Sequence, residues 1–213
     1  MKERKIQSKE RYLAAFINGT LIFIMIFLFS YSLSYLEFQR ISNLQENTAY
    51  EIFEDKLDYS LFDEKDCDST YSKISADLGF QGRVIDDLER KLGKGDSEVL
   101  FRKRFYSLII LEHFEFVKIL NDQCNLNIST IFFFYSNKAN DLEKSEKLGR
   151  LLGIVSERRS NLVIYSFDIN LESDLVDKLE NEYGVEESGT LVFGNGDKLI
   201  SPQRISEIEN HLD

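Results

Sequence analysis

The chain has 213 residues, with 37 acidic and 26 basic side chains and a formal net charge of −11. An excess of this sign offers no cationic surface for phosphate backbones, so no nucleic-acid partner is expected. The two cysteines lie 57 positions apart and neither histidine is near one in sequence, so the paired spacing of a structural zinc site is missing. HExxH, P-loop and GxSxG patterns are all missing, so no metal or cofactor is expected.

Residues 12–36, YLAAFINGTLIFIMIFLFSYSLSYL, contain no charged side chain. As a helix this run is roughly 37 Å long, enough to cross a hydrocarbon core of about 30 Å with some tilt. Lys2, Arg4, Lys5, Lys9 and Arg11 precede it against only Glu3 and Glu10. Cationic flanks stay on the cytoplasmic side, which predicts a single pass with residues 1–11 inside and the remainder outside a cell membrane. A cleaved signal is the alternative, with Ser30, Ser32 and Ser34 as small residues near a cleavage point. The polar Asn18, Gly19 and Thr20 lie inside the run, where a helix absorbs them.

Residues 37–124 read as an extracytoplasmic helical region. A first segment, 37–62, carries Phe38, Ile41, Leu44, Phe53, Leu57 and Leu61 at mostly helical spacing, and it can continue directly from the membrane run. A second, 72–92, carries Ile74, Leu78, Ile85, Leu88 and Leu92, weakened by Gly79 and Gly82. Gly93, Lys94 and Gly95 end it, and Asp96 or Ser97 can cap a third segment over 98–122. That third segment is apolar on more than one face and is predicted to be central. Its basic triplet, Arg102 to Arg104, reads as a solvated turn of helix or as a contact for lipid phosphates. The acidic run 63–68 lacks EF-hand spacing and reads as an acidic loop.

Three antiparallel helices place the ends of the first and third at one pole, which brings Cys67 and Cys124 together. A Cys67–Cys124 disulfide is predicted, with two buried free thiols as the alternative. Asn127-Ile128-Ser129 is an N-glycosylation sequon, making Asn127 a possible acceptor; Asn18-Gly19-Thr20 fits the same pattern inside the membrane run.

From residue 125 strands and helices alternate. Apolar strands are expected at 129–135, 161–167 and 190–193, and helices at 141–159 and 171–183. A Gly194-Asn195-Gly196 hairpin leads to a returning strand at 197–200. A last helix is expected with Ser201 as its cap and Pro202 in its first turn. The order is βαβαββα.

The segment YGVEESGTLVFGNGDKLI (183–200), the strand FFFYS (132–136) and the strand end SFDIN (166–170) resemble the thioredoxin fold. The resemblance covers residues 125–213 and implies an α/β thioredoxin-like domain behind the transmembrane helix and the three-helix region. It implies a CxxC pair within 137–145, where this chain has NKANDLEKS, and a cis-proline where it has Gly189. Thiol exchange needs a thiolate and a resolving partner, and that slot holds neither. The family's redox activity is therefore not expected. What the resemblance leaves is a binding surface for another membrane or envelope protein, at Glu186, Glu187, Ser188, Gly189, Thr190 and Asn140. The expected function is an anchored, redox-inactive scaffold or binding subunit. The alternatives are a membrane-bound thiol–disulfide oxidoreductase using Cys67 and Cys124, and a secreted binding protein.

Overall fold

A computed structural model of the protein describes residues 9–61 and 67–212. In chain order the elements are α1 (Lys9–Leu61), α2 (Cys67–Leu92), α3 (Ser97–Cys124), β1 (Ser129–Tyr135), α4 (Leu142–Arg158), β2 (Leu162–Asp168), α5 (Asp174–Tyr183), β3 (Thr190–Phe193), β4 (Lys198–Ile200) and α6 (Ile205–Glu209). The membrane run and the first helical segment are thus one helix. The acidic residues 63–66 lie outside the described residues. The chain divides into two compact units, residues 1–44 and residues 45–213.

In the first unit every described side chain from Arg11 to Leu36 is exposed. The Thr20 hydroxyl donates to the Phe16 carbonyl at 2.9 Å, so this hydroxyl is satisfied inside its own helix. Among the described residues this is the one helix long and apolar enough to cross a membrane.

In the second unit a four-stranded sheet has the order β2-β1-β3-β4. β1 pairs parallel with β2 from Ser129↔Leu162 to Tyr135↔Asp168, and antiparallel with β3 from Ile131↔Phe193 to Phe134↔Thr190. β3 and β4 form an antiparallel hairpin. β1 is flanked on both edges and both faces, which is why its sequence is a continuous apolar run. Alternation sends Phe132 and Phe134 to one face and Ile131 and Phe133 to the other.

The first face packs with Tyr165, Phe167 and Val192 against Ile109, Ile110, Phe116 and Leu120 of α3 and Ile74 and Leu78 of α2. Phe132 is its centre, with the rings of Phe114, Phe134, Tyr165, Phe167 and Tyr183 at 4.7–6.5 Å, all steeply inclined to it. Edge-to-face contacts of this kind add about 0.5–1.5 kcal/mol each beyond burial. The second face packs with Leu191 and Phe193 against Leu148, Leu152 and Val155 of α4 and Ile208 of α6. Helices and sheet therefore share one core on the first face.

Several local expectations shift. Among the described side chains of α1, Gln45 and Ile52 are buried, one heptad apart, while Phe53 points outward at 52% exposure; Ile41, Leu44, Leu57 and Leu61 lie outside the described side chains. On α2 the stripe Ile74, Leu78, Ile85 and Leu88 is buried, but Leu92 is exposed. Ser201 does not cap the last helix. It sits in the left-handed region at φ +52, and α6 begins at Ile205 behind Arg204. Asp96 does cap α3, its carboxylate accepting from the Glu98 amide at 2.8 Å.

Candidate functional site

The carboxyl ends of parallel strands are where α/β sheets place ligands and partners. In this protein that end of β1 and β2 holds two distinct features. One is a buried polar network and the other an open cleft.

The network is centred on Lys103 of α3, which is 5% exposed. Its Nζ lies 2.9 Å from Oε1 of Glu89 and also contacts Oδ2 of Asp168, the last residue of β2. Asn137, two residues after β1, donates from Nδ2 to Asp168 at 2.9 Å and to Glu89 at 3.2 Å. Lys94 donates to the Asn137 amide oxygen at 2.9 Å. The Asn170 backbone amide donates to the other Asp168 oxygen at 3.0 Å, and Ser136 donates to the Asn170 side chain at 2.6 Å. Burial works against the Lys103 ammonium. The Tyr135 phenol, Asp168 and Glu89 together outweigh it and hold the amine protonated, above its ordinary value. Burial also raises the Tyr135 phenol. Both carboxylates are committed to partners, so the network latches the α2–α3 pair to the strand ends and leaves no free general base.

This overturns both readings of the basic triplet. Arg102 and Lys103 are buried, and Arg102 is held by Glu98 at 2.7 Å and by the Gln45 amide at 3.1 Å. Arg104 is half-buried. A lysine within an apolar helix carries no local mark of being paired across the fold. The one available signal was the acidic end of SFDIN.

The cleft lies beside the network, between the start of α4 and the segment after β4. It has a volume of about 270 Å³ and is lined by Asn140, Lys144, Lys147, Ser201, Pro202 and Gln203, among others. The loop before β3 adjoins it through two of these lining residues, Lys144, which pairs with Glu187, and Ser201, which bonds Gly189. Gly189 donates to the Phe134 carbonyl at 2.7 Å and accepts from the Ser201 amide at 2.8 Å, tying the loop to β1 and to the segment after β4. Gly189 has φ +80, and a Cβ there would stand 2.8 Å from Cε of Lys144. The described residues contain no cis peptide. The Lys144–Glu187 pair has an N–O distance of 3.0 Å. Of the six residues expected at a partner surface, Asn140, Glu186 and Glu187 are exposed, whereas Ser188, Gly189 and Thr190 are buried. The Thr190 hydroxyl donates to the Glu187 carbonyl at 2.7 Å. The exposed half of the loop is thus acidic, and the buried half shapes it.

Cys67 and Cys124 form a disulfide with a Cα–Cα distance of 6.4 Å. They are the first residue of α2 and the last of α3, both half-buried against the core, at the amino end of β1 and away from the cleft. Asn127, on the connector that follows, is exposed.

A Ser–His pair also occurs. His113 is fully buried, with Nε2 3.3 Å from the Ser75 hydroxyl and Nδ1 2.8 Å from the Tyr165 hydroxyl. Burial lowers its pKa to about 4, so the ring is neutral at pH 7. Its surroundings are the aromatic core, with Tyr71 and Tyr165 against the ring. Sequence reading gave His113 no role; its role here is as a satisfied core residue.

Among the described residues no group of His, Cys, Asp and Glu is placed to hold a metal ion. No protein-family model, curated protein or solved structure matches the chain.

Proposed function

We propose that this is a single-pass membrane protein whose second unit is a redox-inactive, thioredoxin-like binding module held outside the membrane. The uncharged, fully exposed helical run supports the anchor, and the cationic residues before it support an inside N-terminus. The order βαβαββα, with a parallel β1–β2 pair and an antiparallel hairpin added on the far side of β1, supports the thioredoxin-like reading. The observation that carries the function is the fate of the slot after β1. Asn137 stands there, bridging Glu89 and Asp168, and both cysteines are locked together elsewhere. The slot serves the latch, and the neighbouring cleft is the surface left for a partner.

The partner is another membrane or envelope protein that docks at the cleft through Glu187, Asn140 and Lys147. Buried Ser188 and Gly189 are unsuitable probes, because changing them disturbs the loop itself. Native purification in mild detergent, with mass spectrometry of co-eluting proteins, tests the reading. A stoichiometric membrane partner that is lost on Glu187→Arg or Lys147→Glu is expected. A chain that elutes alone, and turns over a dithiol through Cys67 and Cys124, overturns it in favour of an oxidoreductase.

A further inference from the structure

We propose that Asn127 carries an N-linked glycan, so that the pole of the second unit opposite the cleft is a modified, solvent-facing surface. The inference rests on the extracytoplasmic placement proposed above. Asn127-Ile128-Ser129 is one of two sequons in the chain. The other, at Asn18, lies within the uncharged run of α1 and serves as an internal control.

The structure separates the two. Asn127 lies on the four-residue connector between α3 and β1, outside any helix or strand, and is exposed. It is in the left-handed region at φ +52, a conformation asparagine tolerates, and follows Asn125 at φ +53. Its amide nitrogen donates to the Asn125 carbonyl at 3.2 Å, a contact inside the same connector. The connector is pinned from beneath by Asn161 donating to the Asn127 carbonyl at 2.9 Å and by Asn121 gripping both backbone groups of Ile128 at 2.9 Å. The acceptor side chain is therefore presented on a rigid base while its own nitrogen is held by one local bond. Cys124 lies three residues upstream in a formed disulfide, which belongs to an oxidising compartment, the same side on which sequons are modified.

In the transfer, Asn127 Nδ2 bonds to the anomeric carbon of a saccharide carried on a lipid pyrophosphate. The bond from that carbon to the phosphate oxygen breaks, the lipid pyrophosphate leaves with the electron pair, and the amide nitrogen gives up one proton. The remaining N–H can keep the bond to Asn125. Asn127 precedes the amino end of β1, whereas Gly189 is bonded to Phe134 near its carboxyl end. Seven residues of strand separate these poles by roughly 20 Å. A glycan here leaves the cleft open and crowds a groove of about 360 Å³ lined by Phe114, Ile128, Ser129 and Phe193 among others.

The test is peptide mass spectrometry of the full chain isolated from its own membranes, alongside alkylation without reductant. The expected result is a saccharide mass on the peptide containing Asn127, none on Asn18, complete loss in Asn127→Gln and Ser129→Ala, and retention in Ser129→Thr. An unmodified Asn127 with the disulfide intact overturns the glycan and leaves the extracytoplasmic placement standing. An unmodified Asn127 with both cysteines alkylated overturns the glycan and that placement together.

Discussion

Lys103 holds two carboxylates from different elements, Glu89 of α2 and Asp168 of β2. Its single positive charge is shared between them where neither is well solvated. Replacing it with methionine keeps the volume but leaves two carboxylates facing each other in a buried site. Removing one partner of a buried charge cluster costs about 3–5 kcal/mol, so Lys103→Met is expected to shift chemical unfolding by that amount. His113 gives a pH signature. Its folded pKa of about 4 lies below the ordinary histidine value of 6.5. Above pH 6.5 both states hold a neutral ring and no stability depends on it. As pH falls from 6.5 toward 4 the unfolded chain takes up a proton that the folded chain refuses, and about 3 kcal/mol is lost across that window. Urea titrations of wild type and His113→Gln between pH 7 and 4.5 check this: the variant is expected to lose its share of the slope. Neither role was visible in sequence, because a buried, paired lysine and a buried histidine look the same as exposed ones until their neighbours are known.

At the scale of elements, the staple and the β3 loop make opposite demands. The disulfide joins the start of α2 to the end of α3 across a sequence separation of 57. Closing a loop of that size stabilises by about 4 kcal/mol in the chain-entropy model. Cys67→Ser with Cys124→Ser is expected to lower the midpoint of thermal unfolding while leaving the sheet's circular-dichroism signature intact below it. The loop before β3 instead depends on a missing side chain. At φ +80, Gly189→Ala places a Cβ in the left-handed region and against Lys144, and a cost of about 1–2 kcal/mol is expected in equilibrium unfolding. Most strands and helices of the second half were readable because they are bounded by turn residues, although α5 begins at Asp174 and not at 171. The start of α6 was misplaced because Ser201 and Pro202 look like a helix opening, whereas Ser201 spends its backbone amide on Gly189. On α1, Ile52 is buried and Phe53 exposed, because helical spacing alone does not say which of two adjacent apolar side chains turns inward.

At the scale of the whole molecule, the two units predict different solubilities. The exposed apolar run belongs to residues 1–44, and residues 45–213 hold both hydrophobic clusters. The full chain is expected to stay in the membrane pellet through alkaline carbonate washing, and a chain of residues 45–213 to remain in the supernatant. A full-length chain released by carbonate overturns the anchor.

What the residue order determined unaided was whatever depends on neighbours along the chain. An uncharged run sets a helix that water cannot solvate, period-two and helical patterns set most elements, and the three-helix pattern foretold the meeting of Cys67 and Cys124. Tertiary structure alone decided which charges are inside, which half of the 186–190 loop is exposed, and where the cleft opens. These depend on desolvation and on pairings between residues such as Lys103 and Asp168, 65 positions apart. No local pattern records such a pairing, because its energy exists only once both groups have left water together.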